Sequence, residues 1–203
     1  VADTVSPDVV CKNIAIPLNL SGNTSIIPTD VDGGSTDNCG IATLSVSPAS
    51  FTAANVGPNN VTLTVTDVNG NSSSCIAVVT VGDLIPPDVS CHQIDVVLYT
   101  TGKYKLTPID YLALTAGTND NVDDYSDLKI TVSPSTFSCE DVGKVKVEIA
   151  VEDKAGNIEY CQTKVNVMDV AELKFRPVED VFVELDSGVC ETPITYPVIM
   201  SNA

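Results

Sequence analysis

The 203 residues carry a formal charge of −17, with twelve Gly, twelve Pro, seven Cys and no Trp. Aromatics are 5% of the chain, Thr and Val suit strands, Gly, Pro, Asn and Asp suit turns, and strong helix formers are scarce, so the expected class is all-β with no helical stretch. The acid is spread evenly, −6, −7 and −4 over residues 1–83, 84–169 and 170–203, which argues against binding nucleic acid or an anionic membrane surface and suits solubility, divalent cations or cationic partners.

No stretch approaches the roughly 18 apolar residues of a membrane span. There is no basic, then apolar, leader at the start. The first residues read as the end of a strand, so the chain is expected to be a piece of something longer.

In chain order, "VADTVSPDVVC" at 1–11 reads as a junction, because "VGDLIPPDVSC" at 81–91 repeats it. "SPASFTAANVG" at 47–57 returns as "SPSTFSCEDVG" at 133–143. Asp3 answers Asp83 at an offset of 80, Asp37-Asn38 answers Asp120-Asn121 at 83, and Asp67, Gly70, Asn71 and Cys75 answer Asp153, Gly156, Asn157 and Cys161 at 86. The drift amounts to two three-residue insertions, which loops absorb cheaply. Self-similarity at so long a period makes each repeat a domain.

"NVTLTVTDVNGN" at 60–71 places Val61, Leu63 and Val65 on one face, Thr62, Thr64 and Thr66 on the other, and a turn at Asn69-Gly70. "KVKVEIAVEDKAGN" at 144–157 alternates Val145, Val147, Ile149 and Val151 with Lys146, Glu148, Ala150 and Glu152. Such period-2 runs are strands covering one side of a core. "CIAVVTVGD" and "CQTKVNVMD" then return as closing strands. The expectation is a β-sandwich of immunoglobulin-like build with roughly seven strands per repeat. Residues 1–83 form the first repeat and 84–169 the second, while 170–203 begin a third that lacks its core strands. Pro86-Pro87 predicts a stiff, extended connection, with domains end to end.

Taken together, "IPPDVSC", "GGSTDNCG", "FTAANVG" and "VTLTVTDVNGNSSSCIAVVTVGD" resemble the hyalin-repeat (HYR-like) modules, and "VEDVFVELDSGVCETPITYP" resembles the opening of another. The resemblance spans essentially the whole chain. It implies tandem immunoglobulin-like sandwiches from a very large secreted protein, such as the gliding-motility adhesins of gliding bacteria. The implied role is adhesion or an extended stalk at the cell surface. Its partners would be neighbouring repeats, other copies in a filament, or a surface or glycan ligand. A fibre completed by neighbouring chains and a passive spacer in a secreted enzyme are the alternatives.

Seven cysteines in an acidic, turn-rich chain point to an oxidising, extracellular compartment. Cys11 and Cys75 recur as Cys91 and Cys161, one Cys on the first strand and one on the last of each repeat, which makes Cys11–Cys75 and Cys91–Cys161 the natural disulfides. Cys39 stands where the second repeat has Val122, and Cys139 where the first has Ala53. Hyalin-type modules often carry Cys at both places, which implies a second bridge of which each repeat here keeps one half. Cys39 and Cys139 then either stay free thiols or bridge chains, and Cys190 awaits a partner in the unfinished third repeat.

Asp67, Asn69 and Asn71 in "DVNGN", Asp153 and Asn157 in "DKAGN", Asp83 and Asp88 at the Pro-Pro junction, and Asp120, Asp123 and Asp124 in "NDNVDD" are candidate calcium ligands, since Ca²⁺ gathers six to eight oxygens. D-x-N-G-N is equally good turn chemistry, and the EF-hand spacing is absent. No cofactor is required. Catalysis finds no support: His92 is the single histidine, and G-x-S-x-G, phosphate-loop and H-E-x-x-H motifs are missing. The Thr62-Thr64-Thr66 ladder is read as outward-facing strand residues. The sequons at Asn19, Asn23, Asn60 and Asn71 matter only in a eukaryotic secretory pathway.

Overall fold

The computed structural model describes residues 3–99 and 101–170. The described residues are all-β in class, and each repeat folds along the same plan. In the first repeat, β1 (Ile14–Pro17), β6 (Ser72–Gly82), β5 (Gly57–Asp67) and β3 (Ile41–Ser47) form one sheet in the order β1-β6-β5-β3. β2 (Asn23–Ser25) and β4 (Ser50–Thr52) form a second, two-stranded sheet. The second repeat uses β7 (Ile94–Leu98), β12 (Ile158–Asp169), β11 (Gly143–Glu152) and β9 (Lys129–Ser133) in the order β7-β12-β11-β9, with β8 (Lys103–Lys105) paired to β10 (Thr136–Ser138). Six strands per repeat, rather than about seven, carry the architecture.

The alternation in "NVTLTVTDVNGN" sets the main hairpin. Val61, Leu63 and Val65 are fully buried, while Thr62, Thr64 and Thr66 on the other face keep contact with solvent. β5 and β6 pair antiparallel from Gly57↔Val81 to Thr66↔Ser72, closing on the turn Asp67–Asn71. Opposite them, Phe51 and Ile26 complete the core with Leu18, Val31, Ala77, Val79 and Val81. In the second repeat Val147, Ile149 and Val151 are fully buried in the same way, whereas Val145 at the start of β11 is only half-buried. Phe137 takes the place of Phe51, 2% and 1% exposed.

One pairing lies outside the sequence expectation, and one feature departs from it. The opening strand of each repeat runs parallel to the closing one, with Ile14↔Val79 and Val165↔Ile94 in register. The first cysteine of each repeat lies just before that strand, not on it: Cys11 makes an isolated bridge to Asp32, and β7 begins three residues after Cys91.

Helix also occurs, against the expectation of none. α1 (Pro28–Val31) is a single turn and α2 (Pro108–Leu114) runs for two. Both start on the same signal, Pro followed two residues later by Asp, at an offset of 80. Pro is pre-organised for a first helical turn. The Asp carboxylate then reaches back to the chain before it: Asp30 accepts Ile27 N–H at 2.8 Å, and Asp110 accepts Thr107 N–H and hydroxyl at 2.7 Å each. In the first repeat Asp32-Gly33-Gly34 stops the helix at once. In the second, "YLALTAG" carries it on, and the first three-residue insertion is spent there.

By packing, the chain divides into two compact units. Among the described residues, the first comprises those up to Cys91, Thr115–Thr131 and Ile149–Cys161, and the second those of His92–Leu114, Val132–Glu148 and 162–170. No helix among the described residues is long and apolar enough to cross a membrane. Cys190 and the expected third repeat from 171 onward lie outside the described residues.

Candidate functional site

The structure joins Cys11 to Cys75 and Cys91 to Cys161. Cys11 and Cys75 pack against the first core. Cys39 is an exposed thiol. Its hydrogen bond with the Asp3 carboxylate, followed by burial and the surrounding negative charge, pushes the thiol up. Cys139 is half-buried, with Sγ 3.5 Å from the Gly102 carbonyl. Val122, the counterpart of Cys39, packs instead against the first core.

The acidic residues gather into two triads. Asp3, Asp37 and Asp67 bring one carboxylate oxygen each within 4.8 Å of one another, and so do Asp83, Asp120 and Asp153. These are the pairs that the offsets of 80, 83 and 86 relate. All six residues belong to the first compact unit.

Local turn chemistry positions each acid. In the hairpin turn, Asp67 Oδ1 accepts N–H from Asn69 and Asn71 at 2.8 Å each, and Oδ2 accepts the Asn71 amide at 2.7 Å. Asp153 does the same with Asn157, at 2.8 and 2.7 Å. Asp37 Oδ1 accepts Cys39 and Gly40 N–H at 2.8 and 3.0 Å, and Asp120 Oδ2 accepts Val122 and Asp123 N–H at 2.8 and 2.9 Å. Asp3 Oδ1 accepts Val5 N–H at 3.0 Å, and Asp83 Oδ1 accepts Ile85 N–H at 3.3 Å. The Asn71 and Asn157 amides then tie the hairpin turns to the carbonyls of Asp3 and Val5, and of Asp83 and Ile85.

This leaves the outer oxygens. Asp3 Oδ2, Asp37 Oδ2, Asp83 Oδ2 and Asp120 Oδ1 are buried and accept no hydrogen bond, and neither does Asn121 Oδ1. Asn121 donates its amide to Asp83 Oδ1 and to the Asn19 carbonyl, both at 3.4 Å. The Asn121 backbone carbonyl oxygen lies so close to Gly22 that a Cβ added there would sit 2.5 Å away.

The two triads differ electrostatically. Burial pushes the Asp83 carboxyl above the usual carboxylate range, over the opposing hydrogen bonds from Ile85 and Asn121. Asp67 is also buried, but there the hydrogen bonds from Asn71, Asn69 and Gly70 outweigh burial and hold its carboxyl below that range. Asp3 is held low chiefly by Val5 N–H, with help from Cys39 and Asn38.

Of the acid and amide positions singled out in the sequence, Asp83, Asp120 and Asp153 share one triad and Asp67 belongs to the other. Asn69 contributes its N–H to the Asp67 turn, and Asp123 accepts Lys154 N–H at 2.9 Å and lies 3.6 Å from Lys154 Nζ. Neither belongs to a triad. Asp3 and Asp37 were legible as repeat equivalents of Asp83 and Asp120 but not as members of these groups. All-oxygen clusters of this kind suit hard divalent cations rather than soft or nitrogen-seeking metals.

No family model matches the chain, and no curated protein matches it. Among solved structures it is similar to Drosophila N-cadherin EC1-4 at 12% identity and a TM-score of 0.42, covering 81% of this chain and 50% of that one. It is similar to human mucin-like protocadherin EC1-2 at 15% identity and a TM-score of 0.39, covering 81% and 98%. The fibronectin(III)-like modules of Clostridium thermocellum CbhA match at 14% identity and a TM-score of 0.29, covering 84% and 98%. The chain thus spans half the length of the N-cadherin structure.

Proposed function

We propose that the chain is a structural and adhesive repeat region of a long secreted cell-surface protein, built from hyalin-type modules that hold a functional end away from the cell. The observation that carries this reading is the repetition itself. The same strand plan and the same disulfide position are written twice in 170 residues, on a surface of dispersed acid. Disulfides fit an oxidising, extracellular setting.

Each disulfide would limit how far its repeat stretches under load. Residues 11 and 75 are 64 apart in sequence, and 91 and 161 are 70 apart. At about 3.5 Å per extended residue, each bridge withholds about 220–250 Å of chain. Single-molecule pulling tests this: reduction should lengthen the unfolding steps by those amounts. Unchanged steps would contradict a disulfide-limited stalk. Adhesion is tested separately, by counting how many chain-coated microspheres attach to glass and to glycan-coated surfaces relative to bare ones. Attachment no better than bare microspheres would confine the role to a stalk.

A further inference from the structure

The Asp83, Asp120 and Asp153 group holds more negative charge than its surroundings explain. Asp83 and Asp153 are each 5% exposed. Asp83 Oδ2 and Asp120 Oδ1 are buried with no donor, and so is Oδ1 of Asn121, whose amide donates to Asp83 Oδ1 at 3.4 Å. A buried carboxylate oxygen without a partner is costly. Among the described residues no ion pair reaches the triad: Lys154, next to Asp153 in sequence, spends its Nζ on Asp127 at 2.7 Å and Asp123 at 3.6 Å.

Turn formation explains one oxygen of Asp83 and one of Asp120, and leaves the other unused. Asp153 uses both oxygens within its turn, yet each carboxylate oxygen has a second lone pair. The first repeat reproduces the pattern at Asp3, Asp37 and Asp67 although insertions separate the three positions. Three acids meeting once is a coincidence that solvation covers; meeting twice, with the inner oxygens satisfied and outer ones orphaned, calls for a ligand.

We propose that Asp83, Asp120 and Asp153, with the Asn121 side-chain carbonyl, bind a divalent cation of the calcium class. The donors are all oxygen, which favours a hard ion. Three carboxylates exceed the ion's charge by one, and water fills the remaining positions. Asp83 directly follows β6, Asp120 sits in the "NDNVDD" loop and Asp153 in the β11–β12 turn, so the ion fastens the end of the first repeat to two loops of the second within one compact unit.

The test is calcium titration of the disulfide-intact 203-residue chain by calorimetry and thermal melting, after exhaustive chelation. The expected result is saturable binding that raises Tm by several degrees and is reversed by chelator, with a smaller response to magnesium. Asp120→Asn and Asp83→Asn keep a carbonyl oxygen for their turns, and each should remove one equivalent of calcium or weaken it about tenfold or more. Asp124→Asn, an exposed neighbour, should bind as the parent does. No heat and no Tm change at millimolar calcium would overturn the proposal. So would parent-like stoichiometry and affinity in both Asn variants, and an equal magnesium response would overturn the calcium class.

Discussion

Truncating Phe51 and Phe137 separately to alanine tests whether the two repeats are energetically one design. Both rings come from the duplicated "SPxxF" phrase, both follow a cis Ser-Pro bond, and both are essentially buried, 1% and 2% exposed. A buried phenylalanine withholds about 150–250 Å² from water, worth roughly 4–6 kcal/mol at about 25 cal/mol/Å². A compact unfolded chain already hides about 10–40% of that, and alanine retains part of it. The unfilled cavity adds back, and large-to-small changes at such sites cost about 3–5 kcal/mol. Urea unfolding with the disulfides intact reads the loss as a lower midpoint at constant m-value. Because two units can unfold in separate steps, each variant should move only one transition. A loss below about 1 kcal/mol at either ring, or both variants shifting the same transition, would refute the argument that each ring closes its own core.

Asp110, buried under Thr107 and Tyr104, gives a pH-dependent prediction. Burial alone would raise its carboxyl, but the Thr107 N–H, the Thr107 hydroxyl and the Tyr104 hydroxyl outweigh it and hold the group below its ordinary 3.8. A lowered folded pKa stabilises the fold above 3.8 and loses that contribution as pH falls through the lowered value. Asp110→Ala should therefore cost about 1–3 kcal/mol at pH 7, and its unfolding midpoint should converge on the parent's in acid. A difference that is constant from pH 7 to pH 2 would exclude this origin. Gly22→Ala should destabilise through both its φ of +68° and the 2.5 Å approach of the new Cβ to the Asn121 backbone carbonyl oxygen. Gly34→Ala, at φ +105° with open space around it, bears the backbone cost alone. Gly22→Ala should exceed it by about 1 kcal/mol or more, measured by thermal melts of the two variants, and equal losses would remove the steric contact.

Much of the fold is legible in the chain because it rests on local alternation. Val61, Leu63 and Val65 announce their shared face through period 2, and the Asn69-Gly70 turn fixes where the hairpin folds back. The helices were legible too, in hindsight of chemistry rather than composition: Thr107-Pro108 with Asp110 is a helix start, and overall scarcity of helix formers masked it. Parallel pairing of β1 with β6 had no local signature, since it joins segments more than sixty residues apart. The triads fall between these cases. The offsets of 80, 83 and 86 connect Asp3 with Asp83, Asp37 with Asp120 and Asp67 with Asp153 by sequence alone. Which three loops meet in space is a tertiary fact, so Asn69 and Asp123, close in sequence to true members, were candidates as much as Asp153 was, while Asp3 and Asp37 were not.

The central claim is that one disulfide-braced strand plan is written twice, each copy with its own cross-link. Proteolytic mapping of the non-reduced chain by mass spectrometry reads this most directly. Linked peptides containing Cys11 with Cys75 and Cys91 with Cys161 are predicted, with Cys39 recovered as a modifiable thiol. Linkage of Cys11 or Cys75 to Cys91 or Cys161 would contradict it.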